Sequence, residues 1–348
     1  MKKVLNVIYS LKGGGAETQL ALLVENDALN RQAVFCCDRS GAEYCNKDVL
    51  VRVSPRKNIY DLKYLSGFIS LLREFGPDVV HIWLPASITI PTMILAKLYG
   101  ARVIFSYRNT MAFHRGLSVF EFMIALLFSD KIVSNNKIEY SQLVYRKLFQ
   151  MKSGVVIGNA VAAVEGEIER DFYGATTRIL YAGRLTRQKD VPCLLRALSL
   201  VNFNWSLDLC GTGEQFEEIG CLVSDLGLEG KVKMRGYCDD IWRYYDSSDL
   251  LVSPSLWEGM PNVLVEAMTR GLPCVVSDIP QHRDLLCGDD ALEFFEPGSA
   301  EKLANKLNEI VHNKTKLEKM SLAGLEIASL YSVESMTSKY SALYQKIG

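Results

Sequence analysis

The sequence predicts an α/β protein made of two Rossmann-like domains in tandem, and three observations predict it. Short apolar runs of strand length alternate with segments of helical apolar period, the pattern of parallel strands joined by crossover helices. The alternation lapses once, between residues 162 and 176, where charged and small residues replace apolar periodicity, and then resumes. At 348 residues the chain has room for two domains of ordinary size. These boundaries give a first domain over 1–161, a linker over 162–176, a second domain over 177–330 and a helical segment over 331–348 that can return to the first domain.

The elements follow in order. "KKVLNVIYSLKGGGAETQLALLV" reads as a buried strand, a Gly-rich turn and a helix with apolar positions at Leu20, Leu22, Leu23 and Val24. Further strands are expected at "QAVFCC", "VVHIW", "RVIFSY", "DKIVSN" and "SGVVIGNAV", with helices between them such as Leu62–Glu74 and Pro91–Tyr99. The second series runs through "RILYAGRL", "WSLDLCG", "KVKMRGY", "DLLVSPS", "PCVVSD" and "LEFFEP", and the stretch from Ala300 onward is helical and amphipathic.

Composition narrows the function. The chain is 49% hydrophobic and 23% charged, as in soluble globular proteins, and its net charge of −1 argues against nucleic acid as a partner. Residues 1–165 carry 20 Lys/Arg against 13 Asp/Glu and the remainder 19 against 27, so the first half is basic and the second acidic. Nine cysteines without a C-x-x-C pair and without a leader suggest reduced thiols in a cytoplasm, with Cys36 and Cys37 in the core, and no metal site. "LSVFEFMIALLF" (117–128) is too short to span a bilayer and is interrupted by Glu121.

"EGMPNVLVE" sets two carboxylates, Glu258 and Glu266, around a helix start. Pro261 suits the first helical turn, Gly271 a left-handed stop, and Pro273 forbids resumption. With strands on both sides this is a β-α-β unit, and such units collect ligands beyond the strands' carboxyl ends, where helix N–H groups attract anions. Glu258 and Gly259 sit in the loop and Glu266 inside the helix, so both carboxylates can face one cleft. Taken alone, most strand-loop-helix turns bind nothing.

Six motifs in sequence narrow this further: "KGGGAE" (12–17), "VVIGNAV" (155–161), "YAGRLTRQKD" (181–190), "CGTGE" (210–214), "RGY" (235–237) and "PSLWEGMPNVLVEAMTRGLPCVVSD" (254–278). On these the chain resembles a retaining glycosyltransferase of family 4, with the GT-B architecture of two Rossmann-like domains facing a central cleft. The resemblance covers nearly the full length. It implies a nucleotide diphosphate sugar as donor, a uridine one first, and a lipid-linked glycan of bacterial surface polysaccharide (O-antigen or capsule) as acceptor. It further implies no cofactor and no metal.

Carried over residue by residue, the resemblance places Arg184 and Lys189 on the leaving diphosphate, where positive charge is needed. Glu258 contacts the donor sugar and Glu266 the ribose hydroxyls, with Gly259, Met260, Asn262, Val263 and Leu264 between them. Gly14 and Gly15 of the Gly-rich turn, together with Gly211, Gly236 and Tyr237, complete the donor site. Arg187 reads as a solvated loop residue. At the acceptor side many family members carry a His after the strand matching "RVIFSY", whereas this chain has Arg108 and Asn109 there and His114 further on; Arg108 and Asn109 are the expected acceptor residues. His81 and Trp83 border the acceptor or fill the core, and His282 reads as structural.

Other readings remain open. "GGGAET" supplies two glycines of a dinucleotide fingerprint but Thr18 at the third position, with Asp38 near the place of a ribose-binding acid; a P-loop lacks its G-K-[ST]. A glycosidase also uses two carboxylates, but there they flank the scissile bond and one protonates the leaving group. An epimerase of the same fold and a silent nucleotide-sugar-binding subunit are the remaining alternatives. The basic first half and the 117–128 segment suit contact with an anionic membrane surface, or the segment is core.

Overall fold

The computed structural model describes residues 1–11, 15–38, 49–55, 63–84, 88–108, 124–125, 127–137, 154–162, 166, 170, 172, 174–285 and 290–347. The chain divides into two compact units, residues 1–162 with 332–348, and residues 163–331.

The first unit runs β1 (Lys3–Val7), α1 (Gly15–Asn26), β2 (Arg31–Cys36), β3 (Leu50–Val53), α2 (Lys63–Phe75), β4 (Val79–Trp83), α3 (Thr89–Tyr99), β5 (Arg102–Tyr107), β6 (Lys131–Ser134) and β7 (Gly154–Val156). The second runs β8 (Thr177–Ala182), α4 (Val191–Leu200), β9 (Trp205–Cys210), α5 (Phe216–Asp225), β10 (Val232–Gly236), α6 (Trp242–Ser247), β11 (Leu250–Ser253), α7 (Asn262–Thr269), β12 (Cys274–Ser277), α8 (Pro280–Arg283), β13 (Leu292–Phe295), α9 (Ala300–Ile310) and α10 (Lys314–Ser329). The last helix, α11 (Val333–Lys346), belongs to the first unit.

Both sheets are parallel and doubly wound. The first has the order β3-β2-β1-β4-β5-β6-β7 and the second β10-β9-β8-β11-β12-β13. In each, strand order reverses beside the unit's first strand, between β1 and β4 and between β8 and β11, which is where such sheets receive ligands. β1 shows why such a strand is mostly apolar: Val4 packs into the core on one face of the sheet and Leu5 into the core on the other.

One strand escapes the sequence reading. β3 is four residues long, partly exposed at every position, and carries Arg52, which pairs with Glu74 of α2 at 2.5 Å. An edge strand of this kind has neither a buried run nor a clean alternation. Within the expected linker, the described residues Arg170 and Phe172 are held by the second unit. Arg170 donates to the carbonyls of Tyr245, Ser248 and Arg270, and Phe172 packs against the second unit's core. One guanidinium thereby satisfies the backbone oxygens where α6 and α7 end. The apolar segment 117–128 lies mostly outside the described residues, although Leu127 and Phe128 are described and exposed. No helix among the described residues is long and apolar enough to cross a membrane.

Candidate active site

The segments at the carboxyl ends of β8, β11 and β12 hold the second unit's candidate residues, at the reversal of strand order between β8 and β11. After β8 the chain passes Gly183 and Arg184 into a short 3₁₀ turn, Arg187–Lys189. Tyr181, itself buried, donates its hydroxyl to the Arg184 carbonyl at 3.0 Å and fixes the turn from below. Burial raises the Tyr181 phenol above its ordinary range, so that it stays a donor. Asp190 then takes a left-handed conformation (φ 47°, ψ 43°) that lets α4 begin at once. Arg184 is exposed and has no ion pair among the described residues; Arg187 is exposed as expected.

Lys189 and Glu258 meet. The ammonium lies 2.5 Å from Glu258 Oε1, with side chains 16% and 7% exposed. The carboxylate receives two further donors: Ser255 Oγ at 2.7 Å on Oε1 and Gln188 Nε2 at 3.3 Å on Oε2. Gln188 also holds the Trp257 carbonyl at 2.7 Å, so the β8 loop clamps the β11 loop from both sides of Glu258. A buried carboxylate needs this number of donors to replace the water it gives up. Sequence separation hides the arrangement: Gln188 and Lys189 stand about seventy residues before Glu258, and no spacing marks Gln188 or Ser255 as its partners.

Glu266 lies one turn inside α7. Tyr245 of α6 donates to its Oε2 at 2.7 Å, and Oε1 has no partner among the described residues. Burial raises its carboxyl pKa, and the Tyr245 hydroxyl partly offsets this. Pro261 sits just before α7 rather than inside its first turn (φ −82°, ψ 75°), because Asn262 N–H turns back onto the Met260 carbonyl at 3.0 Å. Leu264 N–H is likewise taken by the Pro261 carbonyl at 3.0 Å, and the Leu264 side chain is fully buried. Gly259, Met260, Asn262 and Val263 are half-buried on the path between the two glutamates.

Two expected donor-site residues, Gly211 and Gly236, also have a structural part in their turns. A Cβ on Gly211 would lie 1.8 Å from the Gly183 carbonyl oxygen, and its φ is +151°. Its N–H goes to the Gly236 carbonyl at 2.7 Å. The "CGTGE" and "RGY" turns therefore buttress the Arg184 loop by backbone packing, and Gly183 N–H and Leu185 N–H donate to Cys210 and Thr212 carbonyls at 3.0 and 2.9 Å. Tyr237, on the same turn as Gly236, is exposed.

At the end of β12, His282 of α8 is fully buried, with Nδ1 2.8 Å from the Ser277 carbonyl oxygen. A carbonyl only accepts, so Nδ1 carries the proton and Nε2 is bare. Burial pushes this imidazole down to about 4, which keeps it neutral. Its Nε2, Trp257 Nε1 and Thr186 Oγ1 are buried without a partner among the described residues. Such atoms are scarce in folded proteins, and all three belong to loops or a helix directly following β8, β11 and β12.

In the first unit, Gly15 is the first residue of α1, whereas Gly14, Asn109 and His114 lie outside the described residues. Arg108 is buried: Nη1 donates to Asn159 Oδ1 and Nη2 to the Tyr340 hydroxyl, each at 2.6 Å, and the guanidinium stacks 4.4 Å above the Trp83 ring. These contacts make Arg108 a clamp between β5 and α11. His81 is sealed in the same core, 2.8 Å from the Tyr344 hydroxyl and 2.7 Å from Ser106 Oγ; burial and the Arg108 charge hold it well below its ordinary pKa. Among the described residues no group of His, Cys, Asp or Glu is placed to hold a metal ion.

Two family models match, one for each unit: "Glycosyltransferase Family 4" over residues 13–162 and "Glycosyl transferases group 1" over residues 169–326. Among curated relatives, the N-acetylgalactosamine-N,N'-diacetylbacillosaminyl-diphospho-undecaprenol 4-alpha-N-acetylgalactosaminyltransferase of Campylobacter jejuni is 27% identical, over 83% of this chain and 84% of that one. The amylovoran biosynthesis glycosyltransferase AmsD of Erwinia amylovora is 25% identical over 98% and 99%. Among solved structures, Anabaena HepE in complex with UDP and glucose superposes with a TM-score of 0.81 at 18% identity, over 99% of this chain and 100% of that one. With both units matched in order and the fold of the whole chain shared, the chain belongs to glycosyltransferase family 4.

Proposed function

We propose that the chain is a retaining glycosyltransferase that moves a sugar from a uridine diphosphate donor to a lipid-linked glycan of bacterial surface polysaccharide, without a metal, at the cytoplasmic face of the membrane. The observation that carries this reading is the meeting of Lys189 and Glu258 at the strand-order reversal, with Arg184 exposed on the same loop as Lys189. A sugar diphosphate asks for cations on the leaving group and a fixed carboxylate beside the sugar, and no separate acid is needed because the leaving group is already a good one. Glu266, with one oxygen free of Tyr245, suits ribose hydroxyls. The names of relatives support donor and acceptor class: HepE was solved with UDP-glucose, and the C. jejuni enzyme is named for a diphospho-undecaprenol substrate.

Turnover of a UDP-sugar panel with an undecaprenyl-diphosphate-linked acceptor tests the reading. The product anomer should match the donor's, and activity should survive EDTA. An inverted product, or activity lost to EDTA and restored only by a divalent cation, overturns the mechanism.

Membrane contact is supported by the first unit's surface. Ile94, Leu98 and Tyr99 of α3 are exposed, and so are Leu127 and Phe128. The Lys97–Asp130 ion pair brings these two stretches together, with Arg102 exposed beside them. Apolar side chains with basic neighbours fit an anionic bilayer surface. The chain should sediment with phosphatidylglycerol vesicles and not with phosphatidylcholine ones, and Leu98→Ser with Leu127→Ser should abolish it. Equal binding by the double variant would remove this surface from consideration.

A further inference from the structure

We infer that Ser255, Ser277 and His282 form a buried positioning relay for Glu258, an inference that rests on reading Glu258 as the carboxylate beside the donor sugar. The links are continuous. His282 Nδ1 donates to the Ser277 carbonyl at 2.8 Å, Ser277 Oγ donates to the Ser255 carbonyl at 2.5 Å, and Ser255 Oγ donates to Glu258 Oε1 at 2.7 Å. Ser255, Ser277 and His282 are fully buried and Glu258 is 5% exposed.

Three strand ends thereby converge on one carboxylate. β8 reaches it through Gln188 and Lys189, β11 carries it, and β12 reaches it through the relay. Lys189 alone could not fix the carboxylate's direction, because an ammonium on a four-carbon stem is a point charge without directional preference. The serine hydroxyl is directional, and its own backbone is held by Ser277, whose backbone is in turn held by a histidine of fixed tautomer. Each link is made by a group that is itself buried and held, which fixes the side chain it supports. The relay sets the orientation of Glu258 in advance, so that the sugar meets a carboxylate already in place. His282 acts through this chain and does not itself exchange a proton.

The test is a double-mutant cycle read by UDP release from UDP-glucose, UDP-galactose and UDP-N-acetylglucosamine, with thermal melts on every variant. Ser255→Ala and Ser277→Ala should each lower kcat by roughly ten- to a hundred-fold, the scale of a misplaced catalytic group, while UDP affinity holds. Neither should lower it further in a Glu258→Gln background. His282→Asn keeps an N–H donor near the Nδ1 position and should retain most activity, whereas His282→Ala should not. Losses that multiply across the cycle would overturn the relay and leave the role of Glu258 standing. Near-normal turnover by Glu258→Gln itself would instead remove the reading of Glu258, and the relay with it. A crystal structure of Ser255→Ala needs no substrate: the carboxylate should swing from its place, and a carboxylate unmoved against Lys189 and Gln188 would refute the relay.

Discussion

Lys189→Ala should cut sugar transfer by ~10² or more, the scale for removing a preorganised charge at a developing anion, and should also lower the melting temperature. The second effect follows from its partner. Glu258 is almost fully buried and loses its counter-ion, and unpairing a buried ion costs roughly 3 kcal/mol, at the lower end of the usual range. Arg184→Ala separates the two effects: Arg184 is exposed and unpaired among the described residues, so the variant should lose turnover on a similar scale at unchanged stability. Lys189→Ala combined with Glu258→Gln should regain the melting temperature, since no buried charge is then left alone, and should regain no activity. If both single variants transfer at near-normal rates with a confirmed donor, the leaving-group assignment is wrong.

The fold was legible wherever burial alone determines the pattern. "VVHIW" and "RVIFSY" are β4 and β5 residue for residue, because a strand covered on both faces is built mostly of apolar residues. β3 was not, because an edge strand with Arg52 in it buries too little to leave a mark. In the site, the residue types at Arg184, Lys189, Glu258 and Glu266 were readable from the motif, and their partners were not. Lys189 pairs with Glu258 across two β-α-β units, and Ser255 and Ser277 owe their roles to a hydrogen-bond chain that no spacing encodes. Arg108 likewise has partners that its motif does not show: it follows a strand, and Tyr340 of α11 takes one of its guanidinium nitrogens.

The last expectation asks the two glutamates to fail differently. Ribose does not change between ground and transition state, so Glu266→Gln should chiefly raise KM for the donor. Glutamine is the right replacement because its oxygen still accepts from Tyr245, whose hydroxyl would otherwise be orphaned in the core. Glu258→Gln should chiefly lower kcat, since in the proposed reading the carboxylate faces a sugar whose anomeric carbon becomes cationic only in the transition state. Calorimetry with UDP separates them further: UDP has ribose and no sugar, so its affinity should fall in the Glu266 variant and hold in the Glu258 variant. pH gives an independent sign. Burial raises the Glu266 carboxyl above an ordinary glutamate, and only the ionised form accepts from both ribose hydroxyls. UDP affinity should therefore fall on acidification, beginning at a higher pH than an exposed glutamate would allow, and Glu266→Gln should flatten that fall. Equal losses of UDP affinity in both variants, or a pH profile that Glu266→Gln leaves unchanged, would mean that the pair acts as one unit at the start of α7 with no division between sugar and ribose.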